Sequence, residues 1–192
     1  MRIIAGKLRG RRYKAAEDPR VRPVSGRIKQ SLFDIIAGLL PGSKVLDLFA
    51  GTGAVGIEAL SRGAGFVVFV DLNQRCVDHL QANLVKMELN AKAKALMGNA
   101  LSDLSWLAFR SGVSQFNIIF MGPPYKDLRR SPLAYTQATL QRVCEAGLLA
   151  PGGLIICQHH VKEDVSAPPG FKLVRREKYG DSYLSLFKPD GN

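Results

Sequence analysis

Four short clusters in this 192-residue chain carry residue types that can hold a nucleoside-like ligand beside an amine-bearing one. The first runs from Asp47 through Leu48, Phe49, Ala50, Gly51, Thr52 and Gly53 to Gly56. Glycines at 51 and 53 let the main chain turn sharply and approach a ligand, because no Cβ intrudes. Asp47 ends an apolar run just before that turn, where a carboxylate repels a pyrophosphate but suits a positively charged ligand. The second cluster is Asp71 with Leu72; a carboxylate there can accept two hydrogen bonds from a ribose diol. The third is Asn99 with Ala100, after Gly98, where a carboxamide offers an adenine edge both a donor and an acceptor. The fourth is Gly122-Pro123-Pro124-Tyr125. Its prolines fix φ and donate no hydrogen bond, so nearby carbonyls stay open to accept from an amine. Tyr125 offers a ring face on which a base can stack. The exocyclic amine of a base is a poor nucleophile, since its lone pair is delocalised into the ring. Acceptors on its two N–H bonds would orient it for attack on an electrophilic methyl group.

Gly51-x-Gly53-x-x-Gly56 also fits the dinucleotide fingerprint, with Asp71 at the end of the next strand. In that fingerprint the glycine turn follows the strand closely, so that the pyrophosphate rests on the helix N-terminus. Here Phe49 and Ala50 intervene after the acidic Asp47. S-adenosylmethionine (SAM), with a sulfonium, an ammonium and no phosphate, suits this arrangement better than NAD. The candidate cofactor-binding residues are Asp47, Phe49, Gly51, Gly53, Asp71, Leu72, Asn99 and Ala100. Plainer roles stand beside these: Asp47 as the cap of its own turn, Asp71 as a charge near a helix N-terminus, Asn99 as a turn residue, and Gly122 to Tyr125 as a proline turn.

An alternation of strands and helices must position these clusters. Apolar runs predict strands over Lys44 to Leu48, Phe66 to Val70 ending at Asp71, Ala93 to Met97, Phe116 to Met121 and Leu154 to Gln158. Helices are expected over Gly26 to Leu39 with Ser25 as N-cap, Ala54 to Arg62, Gln74 to Glu88, Ser102 to Phe109 and Leu133 to Glu145. Phe171 to Lys178 and Ser182 to Phe187, joined at Tyr179-Gly180-Asp181, read as an antiparallel hairpin. Repeated βα units imply an α/β fold, a mostly parallel sheet with helices on both faces. Ligands in such sheets sit at the C-terminal strand ends, near the switch in strand order. All four clusters fall just past those ends.

The formal net charge is +11, and it is concentrated at the start. Residues 1–30 hold ten cations against Glu17 and Asp18, which is +8 of the +11. Arg2, Lys7, Arg9, Arg11, Arg12, Arg20, Arg22 and Arg27 are the candidate phosphate contacts, because the planar arginine fork suits phosphate. A solvated basic face is the plainer alternative. In the helix that follows, Arg27, Lys29 and Gln30 lie off the apolar stripe and can face a ligand. Residues 1–24 are expected to form a basic arm or hairpin on a domain spanning 25–192. Cys76, Cys144 and Cys157 show no metal-ligand or disulfide spacing, so no metal site is expected. No apolar run approaches a membrane span and no signal pattern opens the chain, which implies the cytoplasm and no membrane partner.

At this point the residues resemble a family. Met1 to Gly10, Val21-Arg22-Pro23 with Arg27, Asp47 to Gly53, and Tyr179-Gly180-Asp181 are similar to the bacterial small-subunit ribosomal RNA guanine-N2 methyltransferases of the RsmD type. The resemblance covers nearly the whole chain. It implies a seven-stranded SAM-methyltransferase sheet with the last strand antiparallel, SAM as methyl donor, and 16S rRNA or a small-subunit assembly intermediate as partner. The chain is expected to act as a monomer. The acceptor it implies is the exocyclic amine of guanine 966, presented out of its stack. Gly122, Pro123, Pro124 and Tyr125 then become the catalytic loop. Two positions depart from the family: Gly122 stands where it has Asp before Pro-Pro-Tyr, and Asn99 stands where it usually has Asp. Gly122 removes a side-chain acceptor and leaves the amine to main-chain carbonyls. Two alternatives follow, a SAM- and RNA-binding protein with weakened turnover and an amino-methyltransferase acting on DNA.

Overall fold

The computed structural model describes residues 1–14, 24–126 and 131–191, so Arg20 and Arg22 lie outside the described residues. The chain runs helix α1 (Gly26–Ile35), strand β1 (Lys44–Leu48), α2 (Ala54–Ser61), β2 (Phe66–Asp71), α3 (Gln74–Lys86), β3 (Ala93–Met97), α4 (Trp106–Ser111), β4 (Phe116–Met121), α5 (Tyr135–Glu145), β5 (Leu149–His160), β6 (Phe171–Tyr179) and β7 (Ser182–Pro189). The strands form one seven-stranded sheet in the order β3-β2-β1-β4-β5-β7-β6. β1 to β5 pair in parallel, whereas β7 runs antiparallel to both of its neighbours. The order reverses between β1 and β4, which is where an open α/β sheet leaves a crevice for a ligand.

The continuous apolar character of the central strands follows from their burial on both faces. On one face Val45, Phe69, Ile118, Phe120 and Ile156 pack with Leu32 and Phe33 of α1, Ile57 of α2 and Leu80 and Leu84 of α3. On the other, Leu46, Val68, Ile119, Met121 and Ile155 pack with Leu107 of α4 and Leu140 and Val143 of α5.

Three elements depart by more than two residues from the sequence expectation, each for a local reason. α1 stops at Ile35, and a single 3-10 turn over Ala37–Leu39 completes the segment. α4 starts at Trp106 rather than Ser102, because the Asn99 and Asp103 side chains accept from Leu101 N–H and Ser105 N–H and hold the chain in turns. β5 begins at Leu149, and its register against β4 jumps from Phe116↔Leu149 to Ile118↔Leu154, so that Ala150 to Gly153 bulge out.

Residues 1–14 fold back on themselves, with Ile3 N–H donating to Arg11 O and Tyr13 N–H to Met1 O. Ile3 and Tyr13 sit in the core on the α1–α3 face. Two residues of α2 clip the segment: Ser61, whose carbonyl accepts from Lys7 N–H at 2.7 Å and whose Oγ accepts from Leu8 N–H at 3.0 Å, and the carboxylate of Glu58. Glu58 accepts from Ile4 N–H and Ala5 N–H, each at 2.9 Å, and from Arg62 Nε at 3.0 Å. It also pairs with Lys29 Nζ at 3.2 Å. Burial pushes this carboxyl upward, but the Ile4 N–H, Arg62, Lys29 and Ala5 N–H together hold it below the usual range. Gly6, at φ +80°, passes so close to α2 that a Cβ would lie 1.9 Å from the Ser61 carbonyl oxygen.

Candidate active site

The C-terminal ends of β1 to β4 lie side by side. Asp47 pairs with Phe69 on one side and Phe120 on the other, and Asp71 pairs with Met97. This register brings the β1 glycine turn, Asp71, Leu72, Asn99 and Ala100 into one row and sets Gly122 across the switch point. A hydrogen bond ties the row together: Gly51 N–H donates to Asp71 Oδ2 at 2.7 Å. Asn73 N–H donates to Asp71 Oδ1 at 2.8 Å. Each carboxylate oxygen keeps one further acceptor position. Gly98 N–H reaches the Asp71 carbonyl at 3.0 Å, which joins the β3 loop to the same residue. Leu72, 67% exposed, presents an apolar side chain beside this row. Asn99 is exposed and Ala100 buried. Phe49, at φ +58°, is held in the left-handed region that a non-glycine residue adopts at a cost of roughly 1–2 kcal/mol.

Asp47 lies beneath the turn at 2% exposure, and its Oδ2 accepts from Gly56 N–H at 2.9 Å. Gly53 occupies the N-cap of α2 and has no side chain to offer, so Asp47 caps the helix from the strand below. Burial pushes its carboxyl up to about 8, against the pull of the Gly56 N–H and with a further push from the charge of Asp71. An unfolded Asp titrates at about 3.9. Folding therefore takes up a proton: Asp47's contribution to stability is complete below that value and falls away as pH rises toward 8. Asp47→Asn is expected to flatten this slope, shrinking the stability difference between pH 5 and pH 8 by about 1–3 kcal/mol in urea unfolding. An unchanged slope would remove the assignment.

The second glycine of the turn is held by packing as well as by the turn. Gly53 lies at φ +72°, and a Cβ there would sit 2.2 Å from Leu80 Cδ2 and 3.2 Å from Ile57 Cδ1. Gly53→Ala should destabilise the fold by about 2–3 kcal/mol from left-handed strain and overpacking. That corresponds to a fall in Tm of roughly 5–10 °C. An unchanged melting temperature would contradict it.

Across the switch point, Tyr125 is anchored by its hydroxyl. It donates to Ser182 Oγ at 3.1 Å and accepts from Gln158 Nε2 at 3.0 Å. Its ring meets His160 edge-on, with centroids 5.6 Å apart. A Cβ on Gly122 would lie 3.2 Å from the Phe120 ring and 4.0 Å from Gln158 Cβ. Gln158 and Ser182 were not among the sequence candidates; the available signal was a polar residue closing the apolar run Leu154 to Cys157.

Of the basic candidates, Arg2, Lys7, Arg9, Arg11, Arg12 and Arg27 are exposed. Among the described residues no carboxylate pairs with any of them. Lys29 is a correction: the sequence expectation has it facing a ligand, but it is 4% exposed and committed to Glu58. Gln30 donates to Asp34 and accepts from Arg62. Among the described residues no helix is long and apolar enough to cross a membrane.

The family model described as Conserved hypothetical protein 95 matches residues 1–188. Ribosomal RNA small subunit methyltransferase D of Escherichia coli (strain K12) is 32% identical over 178 residues, covering 93% of this chain and 84% of that one. The solved structure of the Escherichia coli protein yhhF matches with a TM-score of 0.79 at 30% identity, covering 100% of this chain and 99% of that one. SMU.776, solved in complex with SAH, shares the fold with a TM-score of 0.63 at 18% identity, covering 83% of this chain and 48% of that one.

Proposed function

Because the chain belongs to the conserved hypothetical protein 95 family, we propose that it is a SAM-dependent methyltransferase of small-subunit ribosomal RNA. Its acceptor in this reading is the exocyclic N2 amine of a guanine, by resemblance guanine 966 of 16S rRNA. The observation that carries the reading is the 2.7 Å bond from Gly51 N–H to Asp71 Oδ2, beside the switch point. It joins the glycine turn to Asp71, the diol acceptor in this reading, with the Gly122 to Tyr125 loop opposite. The methyltransferase name of the Escherichia coli relative and the SAH bound to SMU.776 support the same ligand.

The residues present fit SAM. Asp71 keeps acceptor capacity for a ribose diol, and Leu72 offers an exposed apolar face to an adenine ring. Asn99 stands at the adenine edge, and the main chain from Phe49 to Gly53 lines the amino-acid end. When bound, SAM supplies an electrophilic methyl carbon and leaves as the neutral thioether. Pro123 and Pro124 hold the loop rigid so that the Gly122 and Pro123 carbonyls accept from the target amine. Tyr125, tethered through its hydroxyl, walls the base pocket. Positioning an extruded base against the methyl carbon accounts for most of the rate, and no acid–base residue is required.

Arg2, Lys7, Arg9, Arg11, Arg12 and Arg27 are exposed on the N-terminal segment and α1, which pack on the α1–α3 face, and in this reading they grip phosphates. Affinity for single-stranded RNA should then fall steeply with salt, by about 0.7 log units per log of salt for each phosphate neutralised. Replacing Arg9, Arg11 and Arg12 by alanine should reduce that slope by about 2. An unaltered slope would exclude these three side chains.

The direct test of the reading supplies labelled SAM with protein-stripped and partly assembled small-subunit RNA lacking its methyl marks, and with DNA in parallel. Label in RNA supports the reading. Label in DNA alone overturns the substrate class. SAM binding with no transfer to either would make the chain a binding protein disabled at Gly122.

A further inference from the structure

Gln158 carries the one buried side-chain oxygen or nitrogen that has no hydrogen-bond partner among the described residues, its Oε1. A buried carbonyl oxygen without a donor is unfavourable by roughly 1–3 kcal/mol, and this one belongs to a side chain bonded to Tyr125 of the proposed base loop, so it calls for a donor. The amide cannot relieve itself by flipping, because a directional relay holds it. The Asp181 carboxylate only accepts, so Ser182 Oγ donates to Asp181 Oδ1 at 3.2 Å. Ser182 Oγ then accepts from Tyr125 Oη at 3.1 Å, and Tyr125 Oη accepts from Gln158 Nε2 at 3.0 Å. With Nε2 committed, Oε1 is left as a pure acceptor.

Its position matches the missing group. Side chains alternate across the sheet, and Gln158 shares the α1–α3 face with Phe120 and the Cβ direction of Gly122. The Gln158 Cβ lies 4.0 Å from where a Gly122 Cβ would stand. A side chain rooted at residue 158 thus enters the space that an acidic residue at 122 would fill.

Building on the methyltransferase reading above, we propose that Gln158 Oε1 accepts a hydrogen bond from the target exocyclic amine and takes over the acceptor role that Gly122 lacks. As the N–CH3 bond forms, the S–CH3 bond breaks and its electron pair stays on sulfur. The amine nitrogen becomes positive and sheds one proton to water. A carbonyl oxygen aimed at an N–H is bound more strongly as that charge develops, so the contact favours the transition state over the ground state. Gln158 transfers no proton.

The test uses the full-length protein with labelled SAM and the RNA acceptor. Gln158→Leu is expected to keep SAM affinity within about twofold and to lower kcat by about 10²-fold. Adding Gly122→Asp to that variant should recover most of the loss. A Cβ at 122 would meet the Phe120 ring at 3.2 Å and Gln158 Cβ at 4.0 Å, so the aspartate is accommodated once that ring yields by a few tenths of an ångström. Gln158→Glu, which keeps an acceptor in place, should stay within about tenfold of the parent and covers the case in which the leucine variant does not fold. As a binding readout, replacing the acceptor guanine by inosine removes the amine. The parent should prefer the guanine RNA, and Gln158→Leu should lose that preference. Full kcat in Gln158→Leu, or a loss in Gln158→Glu as deep as in leucine, overturns the proposal. A parent protein that methylates no guanine amine overturns the methyltransferase reading instead.

Discussion

An Asp71→Ala protein is expected to bind SAM about 10²-fold more weakly or worse while remaining folded. Two losses combine. In the proposed site the carboxylate would no longer meet the ribose hydroxyls, and Gly51 N–H and Asn73 N–H lose the acceptors 2.7 Å and 2.8 Å away. Hydrogen bonds to a charged acceptor contribute roughly 1.5–3 kcal/mol each. Losing two therefore accounts for 10²-fold or more in Kd. Asp71→Asn keeps one acceptor oxygen and should fall in between. The isothermal titration of SAM decides the matter, and an alanine variant with parental affinity would remove Asp71 from the site.

Glu58→Ala should have the largest effect on stability. It leaves Lys29, with a side chain 5% exposed, charged and unpaired in the core. It also strips Ile4 N–H and Ala5 N–H of their acceptor. Breaking a buried pair from one side destabilises by about 3–5 kcal/mol, which for a domain of this size lowers Tm by roughly 6–20 °C. Because the clip holds the basic segment, RNA affinity should drop along with it, and the bonds after Arg9, Arg11 and Arg12 should become cleavable by trypsin. Glu58→Gln keeps an acceptor for the main chain and should do less. A melting temperature within 2 °C of the parent in Glu58→Ala would contradict the clip.

What could be read from the chain follows its physical range. β1 to β4 are short apolar runs bounded by glycine, proline or a polar residue, and all four lie where the periodicity sets them. The fold class follows from their alternation with amphipathic helices. The bulge at Ala150 to Gly153 escaped the sequence reading, because it depends on pairing with Phe116 across the sheet. Lys29 escaped it too: an amphipathic pattern marks a cation as off the apolar stripe, but its partner is Glu58, 29 residues away. Gly53 was legible as a turn glycine, whereas its contact with Leu80 of α3 needed the packed structure. The relay from Gln158 through Tyr125 to Ser182 and Asp181 joins three segments that meet only once β7 inserts beside β5.

In the proposed reading, the β1 turn, Asp71 and the Gly122 to Tyr125 loop form one methyl-transfer site for a guanine amine in ribosomal RNA. The most direct measurement digests RNA methylated with labelled SAM to nucleosides and identifies the labelled product. N2-methylguanosine, appearing with the parent protein and lost with Asp71→Ala, is the expected result. Label in any other nucleoside, or in DNA alone, would contradict the claim.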